Sequence, residues 1–244
     1  MVLKLLPQSM LDGIDLLPDL ATPVTLFTRH SLREMVSGQG LAGYDLQLTE
    51  QGRDLAQSWG AHLVESSQRE LQYCISSPIQ RCRDTASLMI QGAQIAGQAQ
   101  SMAIDIVSQG LLVEPGSFVV DIQQAAPYFR REGALGFINS FINHRLPGMK
   151  HPIDGVLDVL ELIFNTHPEQ QAGLSLAVSH DTIIAALVAV ISRQQQIAPE
   201  DWPEMMEGLF VWFEGDRFLS SCIHWIWRGK QHHCCIEDLQ QQIL

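Results

Sequence analysis

Three short β-rich runs in this chain each end on a residue that carries charge or an imidazole. Val24 to Thr28 (VTLFT) leads into Arg29-His30-Ser31, Tyr73 to Ser77 (YCISS) into Pro78 and Arg81, and Leu174 to Ser179 (LSLAVS) into His180-Asp181. Runs this short and apolar read as buried strands. Helical patterns follow them. Thr49 is placed to cap a helix on which Leu55, Trp59 and Leu63 recur every four residues. Pro78 suits a first helical position, with Thr85, Leu88 and Met89 continuing that helix. An apolar helix runs from His180-Asp181 to about Ile191.

Strands alternating with helices predict an α/β fold around a mostly parallel sheet. In such sheets, sites form where strand C-termini meet helix starts. The three polar clusters all fall at such points. Ile104 to Val107 is a further candidate strand, and Ser37 to Tyr44, with its glycines, reads as loop. Ala134 to His144 and Gly155 to Asn165 show helical spacing, within a helix-rich middle from about Ser117 to His167. Leu209 to Phe213, a Glu214-Gly215-Asp216 turn and Arg217 to Trp225 read as a hairpin.

A length of 244 residues suits one domain spanning residues 1–244, and the net charge of −12 argues against a nucleic-acid partner. An anionic substrate would need arginines gathered locally against that field. The five cysteines show no framework spacing and read as reduced thiols. The N-terminal stretch lacks the apolar core of a signal peptide, and the longest apolar run, Ile183 to Ile191, is too short to cross a bilayer. The expectation is a cytoplasmic protein with no membrane partner; a homodimer stays open. His232-His233-Cys234-Cys235 has no second pair at finger spacing, so no metal is expected there. Trp202, Trp212, Trp225 and Trp227 read as core and sheet-edge residues, and Cys82 as a helix-buried cysteine.

The chemistry these residue types permit is phosphoryl transfer. Guanidinium groups match phosphoryl oxygens with planar, permanently charged donors. A neutral imidazole has a lone pair for attack, and a carboxylic acid can protonate a leaving oxygen. Each piece also has a plain structural reading. Arg81 could pair with Asp84 on its own helix, and Asp181 could favour the dipole of the helix it opens.

The same residues resemble the histidine phosphatase superfamily, which contains phosphoglycerate mutases and acid phosphatases. T-R-H-S-L-R at Thr28 to Arg33 resembles its R-H-G signature, with the further arginine of R-H-x-x-R. S-S-P-I-Q-R-C-R-D-T-A at Ser76 to Ala86 resembles its S-S-P-x-x-R-x-x-x-T-A segment, and V-S-H-D-T at Val178 to Thr182 its last histidine motif. The resemblance implies a three-layer α/β/α sandwich with a helical insert, approximately 117–167, over the site. It implies a metal-independent phosphomonoester hydrolase without cofactor, acting on a small phosphorylated substrate. His30 would be the nucleophile that becomes phosphohistidine. Arg29, Arg33 and Arg81 would bind phosphate, with His180 as a second, phosphate-contacting histidine. The acid would be Glu114 or Asp181. Glu114 is favoured because L-V-E-P-G-S-F around it resembles the small-phosphatase branch. Mutase-type transfer and a silent phosphate-binding module on the same fold remain as alternatives. Ser31 stands where the family has glycine. If that position needs φ > 0, a serine is strained there, although its hydroxyl could also donate to phosphate.

Overall fold

The computed structural model describes residues 2–34, 43, 45–96, 103–114, 116–166 and 173–241. The three runs become β1 (Val24–Arg29), β2 (Leu71–Ser76) and β4 (Leu174–Ser179), and β3 (Ile106–Ser108) joins them. Three further strands follow: β5 (Gly208–Glu214), β6 (Cys222–Trp227) and β7 (Lys230–Cys235). Together they form one seven-stranded sheet in the order β3-β2-β4-β1-β5-β6-β7. β3, β2, β4 and β1 are mutually parallel, and β5, β6 and β7 extend the sheet antiparallel. The register Thr28↔Val178 and Ser76↔Val178 brings the C-terminal ends of β1, β2 and β4 to one level. The polar residues following each strand therefore share one edge.

Alternation along the strands divides the apolar residues between two cores. Leu26, Cys74, Leu176 and Val178 face α2 (Glu50–Ser67) and α3 (Gln80–Ile95), together with α1 (Gln8–Asp12). Phe27, Ile75, Ala177 and Leu209 face the other way, toward α4 (Ile122–Ile142), α5 (Pro152–Phe164) and α6 (Asp181–Ile191). The result is helix, sheet, helix: the three-layer α/β/α arrangement. α7 (Ile236–Gln240) closes the described chain.

Local details agree with the sequence in part. Thr49 caps α2, its hydroxyl accepting from the Gly52 amide at 3.0 Å. Pro78 lies before α3, which starts at Gln80 with Ile79 at its N-cap, so Pro78 is not the first helical residue. α4 begins a dozen residues ahead of Ala134 and breaks at Gly133, whose φ of 68° interrupts the helical run. The hairpin is also longer than expected. Phe218–Ser220 form a 3-10 turn, and β6 starts only at Cys222. β7 had no signal, because Lys230-Gln231-His232-His233-Cys234-Cys235 lacks apolar alternation. Its evidence is the two-residue turn before it, where Arg228 and Gly229 both take positive φ (48° and 72°), as a tight hairpin turn requires.

β7 also overturns the reading of five reduced thiols. Cys222 and Cys235 are register partners on β6 and β7 and are disulfide-bonded, whereas Cys74, Cys82 and Cys234 are free. Sequence spacing did not reveal a pairing created by strand register. β7 likewise sends His232 and His233 to opposite faces, to stack on Trp225 and His224, which disperses the His-His-Cys-Cys cluster. Residues 37–42 and 44 of the predicted loop, and His167, lie outside the described residues.

α2 and α3 approach so closely that their glycines touch the facing backbone. A Cβ on Gly60 would lie 2.0 Å from the Met89 carbonyl oxygen, and one on Gly92 would lie 1.9 Å from that of Gln57. Neither obstacle is a flexible side-chain end, so the helices themselves would have to part. Gly92→Ala is expected to destabilise the fold by about 1–3 kcal/mol or more despite alanine's higher helix propensity. Urea unfolding of the two proteins checks this, and an unchanged or raised midpoint would contradict the tight packing.

Candidate active site

Backbone hydrogen bonds extend the parallel ladder past the strand ends and fix the polar clusters. The His30 amide donates to the Ser179 carbonyl at 3.1 Å, and the Ser77 amide to that of Val178 at 2.9 Å. His30, Ser77 and His180 are consequently buried at one edge of the sheet. The rings of His30 and His180 stand edge to face, with centroids 5.7 Å apart.

Each imidazole has an assignable proton. His30 Nδ1 lies 2.9 Å from the Ser31 carbonyl oxygen. A carbonyl accepts only, so Nδ1 carries the hydrogen and the lone pair sits on Nε2. His180 has the opposite tautomer. The Arg81 guanidinium, which can only donate, lies 3.2 Å from Nδ1, so the proton is on Nε2, which meets the Ser77 hydroxyl at 3.0 Å. Burial first, then the charges of Arg29 and Arg81, push the pKa of His30 well below its ordinary value. Burial, with Arg81 next, pushes that of His180 down to about 3. Both rings are neutral at physiological pH, so His180 offers its donor without a charge.

Arg29 and Arg81 lie in the field of His30, and Arg33 lies in the field of those two arginines. Arg81 points from the first turn of α3 into the site and also donates to the Gly43 carbonyl at 3.0 Å. Asp84, with which Arg81 could have paired on a purely structural reading, pairs with Arg53 at 3.2 Å. Arg29 bonds the Pro203 carbonyl at 2.7 Å and Asp181 at 2.5 Å. Arg33 is held by a backbone bridge to Leu48. Its proton affinity is lowered by burial and then by repulsion from Arg81 and Arg29, which places it in their field. The Nε groups of Arg29 and Arg33 are buried without a hydrogen-bond partner among the described residues.

The two carboxyl groups are separated by their surroundings. The Ser179 hydroxyl donates to the Leu112 carbonyl at 2.9 Å, tying the turn at Gly110–Leu112, just ahead of Glu114, to the end of β4. Glu114 is buried, and burial, then the charge of Asp181, raises its pKa to about 8 against the opposing pull of Arg81 and Arg29. Asp181 is an anchored acceptor. Its Oδ1 takes the Thr182 amide at 2.9 Å, and its Oδ2 takes Arg29 and the Trp202 indole N–H, the latter at 3.2 Å. It opens α6 as the sequence suggested, but it also joins that helix to the strand bearing His30.

Ser31 is not strained: it is absent from the non-glycine residues with positive φ. Its hydroxyl donates to the Gly52 carbonyl at 2.7 Å, and its amide to the Thr85 hydroxyl at 3.0 Å. The serine therefore staples the loop after β1 to α2 and α3 instead of reaching toward an anion. Three contributors had no role assigned in the sequence reading. Ser77 and Thr85 lie within a recognised segment, but nothing local indicated what they bond. Trp202, assigned to core and sheet edge, reaches Asp181 from a loop that gave no signal. Cys82 is buried as expected, its thiol pushed up to about 12 by burial, 3.6 Å from His180. Among the described residues, no group of three or more His, Cys, Asp or Glu is arranged to hold a metal ion.

These protonation states make stability depend on pH. Between about 4.3, where an unfolded glutamate titrates, and about 8 the folded protein holds a proton on Glu114 that the unfolded chain releases. Stability from this group therefore falls as pH rises through that window. His30 and His180 act oppositely: their neutral folded forms contribute stability that is lost as pH falls below about 6.5, where an unfolded histidine protonates. Above that pH the Glu114 slope is the one expected to remain from these three groups. Urea midpoints between pH 6.5 and 8 should decline in the wild type and flatten in Glu114→Gln, and equal slopes would mean that Glu114 is ionised in the fold.

Residues 25–102 match the family model of the histidine phosphatase superfamily (branch 1). No curated protein sequence matches the chain. Among solved structures, a protein described as mycobacterial hydrolase 1 is similar with a TM-score of 0.57 at 17% identity, covering 84% of this chain and 98% of its own. A mycobacterial glucosyl-3-phosphoglycerate phosphatase gives a TM-score of 0.54 at 17% identity, covering 84% and 98%. Phosphoglycerate mutase from Bacillus anthracis str. Sterne gives 0.53 at 14% identity, covering 91% and 97%. At these identities the structural likeness is one of fold. The chain thus carries the sequence signature of the histidine phosphatase superfamily over residues 25–102, together with the fold shared by its phosphoglycerate mutase-like and phosphatase structures.

Proposed function

We propose that the protein is a phosphomonoesterase that passes the phosphoryl group through His30 and requires no metal. The observation that carries this reading is a neutral His30 in the field of Arg29 and Arg81, with Glu114, its proton affinity raised by burial, in the field of the same two arginines. Arg29, Arg33 and Arg81 supply the cationic charge that phosphoryl oxygens require, and the buried Nε donors of Arg29 and Arg33 would gain acceptors from them.

In the first step, Nε2 of His30 attacks phosphorus in line while the ester P–O bond breaks. The leaving oxygen takes the Glu114 proton. In the second, Glu114, now a carboxylate, takes a proton from water as its oxygen attacks. The P–N bond breaks and its electron pair returns to Nε2, releasing inorganic phosphate. The Ser31 carbonyl holds Nδ1–H throughout and stabilises the charge that the ring gains as phosphohistidine. When phosphate binds, His180 turns its Nε2–H from the Ser77 hydroxyl to an equatorial oxygen, while Nδ1 goes on accepting from Arg81. Glu114 is the better acid because it keeps its proton to about pH 8, whereas Asp181 is engaged as an acceptor by Arg29, Trp202 and Thr182. The substrate is small and phosphorylated, and we assign its selection to the segment at 117–167, which the chain enters directly after Glu114.

Hydrolysis of an aryl phosphate in the presence of chelator tests the class. His30→Ala should reduce turnover by about 10³-fold or more without unfolding the protein. Retained turnover in His30→Ala, or loss on chelation, would remove this mechanism.

An alkyl phosphate, with its poor leaving group, tests the acid. Glu114→Gln should lose about 10²–10⁴-fold in kcat, and more than Asp181→Asn loses. The wild-type kcat should fall as pH rises past about 8, where Glu114 gives up its proton, and that limb should vanish in Glu114→Gln. A larger kcat loss in Asp181→Asn, with the alkaline limb intact in Glu114→Gln, would transfer the role to Asp181.

A further inference from the structure

A half-buried ion pair outside the site grips a loop that touches it. Arg228 occupies the turn between β6 and β7, and its guanidinium forks onto the buried Glu207 carboxylate, with Nε donating at 2.8 Å and Nη2 at 3.1 Å. The same group donates to the Glu200 carbonyl at 2.9 Å and the Trp202 carbonyl at 3.2 Å. One side chain thus holds both arms of the segment at residues 200–207.

That segment is the wall of the phosphate site. Trp202 presents its indole N–H to Asp181, and Pro203 presents its carbonyl to Arg29. The Met206 amide donates to the His30 carbonyl at 3.3 Å, the Thr28 hydroxyl donates to the Met206 carbonyl at 3.1 Å, and the Arg29 amide donates to the Glu207 carbonyl at 2.9 Å. Met206 has a φ of 66°, a left-handed conformation that a side chain adopts at a cost and keeps only where its surroundings impose it. Met206 is bonded to the end of β1 through both its amide and its carbonyl, and the next residue, Glu207, is the one that Arg228 grips.

We propose that Arg228 is a positioning residue for the phosphate site. Through Glu207 and the loop carbonyls it sets Trp202 and Pro203, which in turn orient Asp181 and Arg29. It touches no reacting atom. Its effect therefore has to travel through the Trp202–Asp181 and Pro203–Arg29 contacts, and this separates it from a residue that merely stabilises the fold. The proposal rests on the reading of the site as a phosphate site.

The test is a double-mutant cycle with two readouts: kcat and KM for an aryl phosphate, and the affinity for inorganic phosphate measured by calorimetry. Arg228→Met should weaken phosphate binding and raise KM about tenfold, with a smaller change in kcat. In a Trp202→Phe background, where the link to Asp181 is already cut and only the Pro203–Arg29 contact remains, the same substitution should change both by a clearly smaller factor than in the wild type. Arg228→Lys, which keeps the charge but lacks the fork, should fall between wild type and Arg228→Met. If Arg228→Met fails to fold, Arg228→Lys carries the cycle.

Equal losses in both backgrounds, or a lowered melting temperature with phosphate affinity unchanged, would overturn the positioning role while leaving the hydrolase reading intact. A wild type that binds phosphate, shows the non-additive cycle and hydrolyses nothing would sustain the positioning role and overturn the hydrolase reading. A wild type that binds no phosphate would overturn both.

Discussion

An imidazole stripped of water beside guanidinium groups cannot hold a second proton, and the rest of the site is arranged around that constraint. Protonating His30 would bury a third positive charge among Arg29 and Arg81, so the ring stays neutral and its lone pair remains on Nε2. His180 obeys the same rule, with Arg81 dictating its tautomer. The arginines thus do two things with one charge: they make the pocket attractive to an anion and they keep the imidazoles in the basic form. A phosphoryl group arriving between them would reverse the sign of the local field. A phosphohistidine cation is then tolerable where an imidazolium was not.

That local field is built in a protein whose overall charge is −12. The site therefore acts at contact distance, where burial and the absence of intervening water strengthen each arginine, and does not depend on long-range attraction. This explains why the arginines are anchored at fixed points. Arg29 is bracketed by Asp181 and the Pro203 carbonyl, and Arg81 by Gly43 and His180. Cationic groups that must crowd together in the unliganded protein need acceptors that hold them there.

How much of this was legible in the sequence follows from how far each feature reaches along the chain. Val24 to Thr28 and Leu174 to Ser179 announced their strands because burial on both faces makes a strand continuously apolar, and that is a local property. The gathering of Arg29, His30, Arg81, His180 and Asp181 at one sheet edge was legible because each lies at or after the C-terminal end of a parallel strand or opens the helix after it. β7 was not, since Lys230 to Cys235 borrows its extended form from pairing with β6, and the Cys222–Cys235 disulfide depended on that pairing. Ser77, Thr85 and Trp202 carry ordinary local identities, and their roles arise from partners between 21 and 103 residues away. Ser31 shows the reverse failure. The sequence suggested strain at a position normally held by glycine, whereas the backbone there is unstrained and the added hydroxyl found the Gly52 carbonyl.

The division of labour between the two carboxyl groups follows from where each sits on the sheet edge. Asp181 opens α6, where its own helix supplies an amide donor and β1 supplies Arg29, so its oxygens are committed to N–H groups. Glu114 arrives from the turn beyond β3, where the Leu112 carbonyl is tied to Ser179, and reaches a buried pocket that already contains Asp181. Two carboxylates cannot both be ionised cheaply in such a space, and after burial it is the charge of Asp181 that raises the proton affinity of Glu114. In the proposed mechanism the acid is thereby set by the order in which the sheet edge distributes its donors. Removing the Arg29–Asp181 pair would consequently alter the proton affinity of Glu114, a residue that neither partner needs to touch for the coupling to act.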